Sequence, residues 1–276
     1  MSTPKVTVLI ATYNRSHLLD KAIHSVTLQV FGDWELLIAD DGSTDATEKV
    51  VKNWETKDRR IKYLKSSHFG RIAKISNFGL RQAKGEYVAI LDDDDEWFDP
   101  NKLQKQVSFL DKNPDYVGCG GGFVGFNLKG VELGQFFKPE NDENIRAKAI
   151  FANPMANSTT LFRRSVAEKI GFYDESLPQF ADWDFWLKLG LEGKLYNFQE
   201  YFSRYLMWDK SMSFSKQKEC AKATRVIVPR YWRKYPGALK GFCFMFAYSF
   251  YAYLPNFIKK FLNPLLSTLK KIIASR

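Results

Sequence analysis

The sequence predicts an α/β fold with a mostly parallel central sheet flanked by helices. Short apolar runs rich in β-branched residues recur through the first part of the chain and alternate with stretches of helical period. The first of these runs, residues 6–11, is a continuous stretch of apolar and β-branched residues, as expected of a strand covered on both faces. Two runs end in clusters of aspartate, at Asp40-Asp41 and at Asp92-Asp93-Asp94-Asp95. In strand–helix proteins the C-terminal tips of strands are where ligands bind.

Residues 6–11 form the first predicted strand, and Thr12-Tyr13-Asn14-Arg15 follow as a loop. Ser16 can cap a helix running to about residue 30, with Leu18, Leu19, Ala22, Ile23 and Val26 on one face. Residues 34–39 form a second strand, and a helix follows over about 45–54. Residues 61–64 make a short third strand. A helix over about 72–83 stops at Lys84-Gly85, a good C-terminal signal. The fourth strand spans 87–91, and a helix covers 101–112 after Asp99-Pro100. From 117 to 205 the pattern is less regular. It suggests a strand near 158–162 and helices near 164–170 and 182–191. Gly118, Gly120, Gly121 and Gly122 lack the strand-loop-helix setting of a phosphate cradle and read as close-packed positions.

At 276 residues and 32.0 kDa the chain can bury a full core as one large domain or as one domain plus an appendage. Its 45% hydrophobic and 26% charged content is that of a globular protein. Cys119, Cys220 and Cys243 are scattered and odd in number, which fits a reducing cytosol and neither a disulfide framework nor a zinc site. No signal peptide is expected, because Met1 to Lys5 lead straight into a strand. The net charge of +10 is unevenly spread. From Arg204 onward there are 15 lysines and arginines against Asp209 and Glu219, while the rest of the chain is nearly neutral. Such a tail calls for an anionic partner, a membrane surface or a nucleic acid.

Four adjacent carboxylates after a buried strand repel one another, and burying any of them unpaired is costly. A hard divalent cation with oxygen ligands is the natural complement. A third acidic pair lies at Asp182 and Asp184. The clusters at Asp40-Asp41 and at 92–95 are expected on neighbouring strands, converging at one edge of the sheet. That favours a nucleotide or phosphate ligand bridged by a metal. His17, His24 and His68 read as surface or helix residues.

These motifs together resemble the family 2 glycosyltransferases. The likeness rests on Thr12-Tyr13-Asn14-Arg15, on Asp40-Asp41-Gly42-Ser43-Thr44-Asp45, and on Gly85-Glu86-Tyr87 leading into Leu91-Asp92-Asp93-Asp94-Asp95. Gly171-Phe172-Tyr173-Asp174-Glu175-Ser176-Leu177, followed by Asp182-Trp183-Asp184-Phe185-Trp186-Leu187, completes it. The match covers about residues 4–215, and four motifs in the right order are far more specific than any one.

The resemblance implies the GT-A fold and inverting transfer of a sugar from a nucleotide-diphosphate donor to an acceptor hydroxyl. It also implies roles. Tyr13 would stack on the nucleotide base, with backbone contacts from Ala11 and Thr12. Asp41 would hydrogen-bond the base. Lys74 or Arg71 would help hold the nucleotide. Asp92 and Asp94 fill the two acidic places of the Asp-x-Asp motif, Asp93 lies near the ribose, and Asp94 is the direct ligand of Mn2+ or Mg2+. Asp182 would be the catalytic base and Asp184 a structural acid at a helix N-terminus. Two departures stand out. Ala181 replaces the glutamate that precedes the base in the family. Trp208 falls near a place where many relatives have a histidine, before Ser211-Met212-Ser213. Trp183, Trp186 and Trp208 either line an acceptor pocket or pack in the core.

Residues 1–215 are thus expected to form the catalytic domain and 216–276 a basic helical extension. Residues 241–258 carry no charge, and the last stretch is lysine-rich on one side and apolar on the other. This reads as helices lying on an anionic leaflet at the cytoplasmic face of the plasma membrane, beside a lipid-linked saccharide acceptor. The alternatives are a helix pair packed on the body or the contact surface of a homo-oligomer. Two rival functions are a membrane-anchored nucleotide-sugar-binding protein without catalysis and a nucleic-acid-binding protein. The uncharged block argues against a nucleic acid partner.

Overall fold

The computed structural model describes residues 3–207, 216–255 and 257–259. One mixed sheet organises it. Its strands are β1 (Val6–Thr12), β2 (Trp34–Asp40), β3 (Ile61–Lys65), β4 (Tyr87–Ile90), β5 (Glu96–Trp97), β6 (Tyr116–Phe126), β7 (Glu132–Phe136), β8 (Leu161–Arg163) and β9 (Lys194–Leu206). The order is β3-β2-β1-β4-β8-β6-β9-β5, with β7 added to β6. Strands β1, β2, β3, β4, β6 and β9 run one way and β5, β7 and β8 the other. The expected mostly parallel sheet is therefore present.

The helices are α1 (Ser16–Thr27), α2 (Thr47–Lys57), α3 (Ile72–Leu80), α4 (Lys102–Lys112), α5 (Asp142–Ala149), α6 (Arg164–Lys169), α7 (Ala181–Gly190), α8 (Gln217–Tyr231) and α9 (Ala238–Tyr253). Alternate residues of β1 and β2 divide the core into two layers. Val6, Val8, Ile10, Leu36 and Ile38 pack with Leu19, Ile23 and Val26 of α1 and Leu103, Val107 and Leu110 of α4. Leu9, Leu37 and Ala39 face the layer that holds α3, α7 and α8. Burial on both faces is why these strands read as largely apolar runs, with Thr7 and Glu35 hydrogen-bonded to each other inside.

Some boundaries differ from expectation for local reasons. Helix α1 stops at Thr27, because Gln29 turns away to bond the Asp99 carbonyl and the Leu103 amide. Helix α2 starts at Thr47, because Asp45 Oδ1 accepts both the Thr47 amide and hydroxyl in a side-chain turn. Strand β6 is hidden in the sequence because glycines break its β-propensity. The glycines are there because β6 is crowded: a Cβ on Gly121 would strike the Phe202 ring, and one on Gly122 the Phe137 ring.

The aspartate clusters do not sit on neighbouring strands. Strand β1 lies between β2 and β4, so the tip of β1 joins the two clusters. Beyond β9, Ile227, Val228 and Tyr231 of α8 belong to the same apolar cluster as Trp186 and Phe185 of α7. Helix α9 follows α8 and lies against it. No helix among the described residues is long and apolar enough to cross a membrane. Trp208, the Ser211-Met212-Ser213 stretch and residues 260–276 lie outside the described residues.

Candidate active site

At the C-terminal tips of β1 and β4 a cavity of about 440 Å³ opens, a size ordinary for a small-molecule site. Ala11, Arg15, Asp92, Asp93, Asp94, Lys138, Asn157 and Asp182 line its polar side. The chain reaches it through two residues with left-handed backbone. Asn14 (φ 53°) follows β1, and its Oδ1 accepts the Thr44 amide, tying the β1 tip to the loop after β2. Phe180 (φ 59°) turns the chain into α7 and lines the cavity itself. A phenylalanine in this region costs of order 1 kcal/mol or more, and such residues cluster at functional sites.

Each aspartate of the run has its own surroundings. Asp92 Oδ1 accepts from Asn157 Nδ2 at 2.8 Å. Burial, and then the charge of Asp94, hold its carboxyl well above the usual range. Asp93 Oδ2 accepts the Thr12 hydroxyl at 2.8 Å, and Oδ1 accepts from Arg15 at 2.7 Å. Burial pushes its carboxyl up to about 6 against the pull of Arg15. Asp94 Oδ2 accepts from the same guanidinium nitrogen at 3.0 Å. Asp95 points away, accepting the Ser158 hydroxyl at 2.5 Å and the Leu206 amide at 2.9 Å. Burial raises it as well, and it pins the end of β9 beside the run.

Asp182 stands in the first turn of α7, where its Oδ2 accepts from Asn153 Nδ2 at 2.7 Å. Burial raises its carboxyl, while neighbouring amides, Lys138 and Asn153 pull the other way. Lys138 donates to the Asn153 carbonyl at 2.9 Å, and burial lowers its ammonium. A buried carboxylate of raised basicity in a cavity is suited to proton abstraction.

Tyr13 and Asp41 form a separate group beside the cavity. The Tyr13 ring stacks on His68 at 4.3 Å between centroids. Asp41 accepts the amides of Phe69 and Gly70 at 2.6 and 2.9 Å, and His68 Nδ1 lies 3.0 Å from its carboxylate. Gly42 (φ 75°) makes the turn that brings this loop under His68, where a Cβ would meet the His68 amide. Lys74 is half-buried on α3, whose Ile72, Ala73 and Ser76 line the cavity although Lys74 does not. Arg71 donates to the carbonyls of Glu175 and Ser176. Trp183 lines the cavity and bonds the Ala149 carbonyl, whereas Trp186 is wholly core.

A divalent cation fits this chemistry. Asp92, Asp93 and Asp94 border one space with Arg15 as the guanidinium among them, and mutual repulsion raises Asp92. No group of three or more ligating side chains is assembled among the described residues. An ion here would take one or two carboxylates, Asp94 and Asp92, and complete its shell from phosphate and water, as magnesium commonly does.

The sequence model of Glycosyl transferase family 2 matches residues 7–171, which contain the β1 and β2 tips and the aspartate run. The chain belongs to that family. This family 2 glycosyltransferase is 32% identical over 220 residues to the putative glycosyltransferase EpsE of Bacillus subtilis, covering 78% of this chain and 77% of EpsE. It is 46% identical over 94 residues to the GalNAc(5)-diNAcBac-PP-undecaprenol beta-1,3-glucosyltransferase of Campylobacter jejuni, a match spanning 34% of this chain and 30% of that one. Its fold superposes on S. aureus TarS in complex with UDP-GlcNAc with a TM-score of 0.69, at 20% identity over 87% of this chain and 70% of TarS. The GT-A architecture expected from the motifs is thus the one observed.

Sequence reasoning misses His68, Arg15, Asn153 and Lys138 of this glycosyltransferase. His68 reads as a surface residue. It is half-exposed, yet it is the partner of both Tyr13 and Asp41. A histidine two residues before Gly70, in a loop after β3, is the available signal. Nothing in local sequence announces Asn153 and Lys138, because they meet Asp182 only through the tertiary fold.

Proposed function

We propose that this chain transfers a sugar from a nucleoside diphosphate donor to a hydroxyl of a lipid-linked saccharide in surface-polysaccharide synthesis, with inversion and with a divalent metal. The observation that carries the reading is Asp182, buried in the same cavity as Asp92, Asp93 and Asp94. Asp182 takes the proton of the acceptor hydroxyl. The freed oxygen forms a bond to the anomeric carbon as the bond from that carbon to the diphosphate oxygen breaks on the opposite face. The nucleoside diphosphate leaves with the electron pair. Mn2+ or Mg2+, held by Asp94 with Asp92, would stabilise negative charge on the leaving diphosphate. Asp93 and Thr12 shape the ribose side, Ala11 offers its backbone, and Tyr13 with Asp41 and His68 receives the base. Lys74 sits on the helix beside this path.

The lipid-linked acceptor is supported by the Campylobacter relative, whose name specifies an undecaprenol-linked substrate, and by the basic tail, which suits an anionic leaflet at the cytoplasmic face. Residues 1–215 would then supply chemistry and 216–276 location. The test is Asp182→Asn with two readouts. Transfer to a membrane-borne acceptor should be abolished, while nucleotide-sugar binding by calorimetry with manganese stays within about threefold of the parent. Surviving transfer would remove Asp182 from the role of base. Loss of binding as well would make it a structural residue.

A further inference from the structure

Helix α9 is apolar on two sides. Gly241, Met245, Ser249 and Ala252 are buried toward the body, where Gly241 abuts Ile150 and Ser249 bonds Arg225. On the outward side Leu239, Phe246, Phe250 and Tyr253 are 78%, 65%, 72% and 49% exposed, and Phe257 beyond the helix end is 74% exposed. Their spacing of seven, four, three and four puts them on one stripe. A water-facing helix surface carries polar groups there, and α9 holds a single charge, Lys240. The bulkiest side chains are on the side the protein leaves bare.

We infer that this aromatic stripe is the edge by which the enzyme lies on an anionic bilayer, with its catalytic cavity opening beside that edge. Charge selects the occupant. Residues 216–276 hold 13 lysines and arginines and Glu219 as their one acid. Lys222, Arg233, Lys234 and Lys240 are exposed around the helix pair. Aromatic residues bounded by lysine and arginine match the boundary between acyl chains and anionic headgroups. Phe244 ties the stripe's helix to the chemistry, because it lines the cavity that also holds Asp182. An acceptor's saccharide can therefore enter the cavity while its lipid stays in the leaflet. Only this last step rests on the proposed transfer reaction; the bilayer edge is read from the exposed stripe of α9 and the basic residues around it.

The experiment uses the full chain and flotation with vesicles of phosphatidylglycerol and phosphatidylcholine, compared with phosphatidylcholine alone. The parent should float with the anionic vesicles. Phe246→Ser with Phe250→Ser should weaken vesicle binding by about tenfold or more while leaving the melting temperature nearly unchanged. Phe257→Ser, outside the packed helix, should weaken it to a smaller degree and guards against a folding defect. Neither change should alter transfer to a short water-soluble acceptor. Unchanged flotation of the double variant overturns the inference. So does a parent that does not float but forms a dimer which the same changes dissociate, since the stripe would then join two copies. A parent that floats yet transfers to no acceptor removes the proposed reaction and leaves the bilayer edge standing.

Discussion

Asp184 should prove to be the residue that locks α8 to the active-site helix. Its side chain is fully buried. Oδ1 accepts from Arg230 at 2.7 Å and from the Tyr231 hydroxyl at 2.9 Å, and Lys188 stands 3.6 Å from Oδ2. Arg230 also holds Asp174 at 2.8 Å. Replacing Arg230 by Met leaves the buried carboxylate with one neutral hydrogen bond and a distant ammonium. Stripping a buried ion of its partner costs about 3–5 kcal/mol. The Arg230 side chain is 35% exposed, so water replaces part of what is lost. The half-exposed Asp174 pair adds at most about 1 kcal/mol. The expected loss is about 2–3 kcal/mol, which at a typical slope for urea lowers the midpoint by about 1 M.

The assay is urea unfolding of the parent, Arg230→Met, Asp184→Asn and the double variant, followed by two independent probes. A neutral amide in place of the Asp184 carboxylate needs no cation, so the double variant should be less destabilised than the sum of the singles by about 1 kcal/mol or more. Additive effects, or an Arg230→Met loss below about 0.5 kcal/mol, would refute the assignment. A refuted lock would also sever the stated link between α8 and Asp182, which lies two residues before Asp184 on the same helix.

Other expectations follow from the same kind of reasoning. Lys138→Met removes a positive charge that pulls the Asp182 carboxyl down, so, with Asp182 as the proposed base, the acid limb of the pH–rate profile should move to higher pH; an unmoved limb would exclude Lys138 from that role. Burial lowers the Lys102 ammonium to about 7 from an ordinary value of 10.5. The unfolded chain therefore holds a proton that the folded one has shed between those values, and stability should rise with pH across that window. Lys102→Met should flatten this rise in melts taken from neutral to alkaline pH. His68→Ala removes the ring stacked on Tyr13 and should weaken nucleoside diphosphate binding by about 1 kcal/mol in titration calorimetry. Gly121→Ala forces a Cβ against the Phe202 ring and should cost about 1–3 kcal/mol in thermal stability.

The first half of the fold was legible because β1, β2 and β4 are covered on both faces and the helices beside them on one, so period and composition agree. The second half was not. Strands β6 and β9 are locally atypical: one is rich in glycine, and the other, with Glu200 and Arg204, alternates without a clean apolar face. Tertiary contacts decide both, since Phe202 and Phe137 fill the space the glycines vacate. The site was legible where it is contiguous in sequence, at the tip of β1, the loop after β2 and the aspartate run. Asp184 as a structural acid was also readable, from its place in a first helical turn. The residues that set the basicity of Asp182 were not, because Lys138, Asn153 and Asp182 come from three segments.

Four adjacent carboxylates remain tolerable because the chain separates their tasks. Asp95 is removed from the cavity by Ser158 and the Leu206 amide and serves the sheet. Asp92 is held by Asn157, which anchors it without neutralising it. Arg15 spans Asp93 and Asp94 through one nitrogen, so a single cation offsets two charges. The net charge left at the cavity is negative, and like-charge repulsion and burial both act to raise Asp92 and Asp93. Such an arrangement is costly to the free protein and is relieved when positive charge enters. A protein that needed these aspartates only for its turn would have no reason to gather three of them, Asp92, Asp93 and Asp94, around an open space.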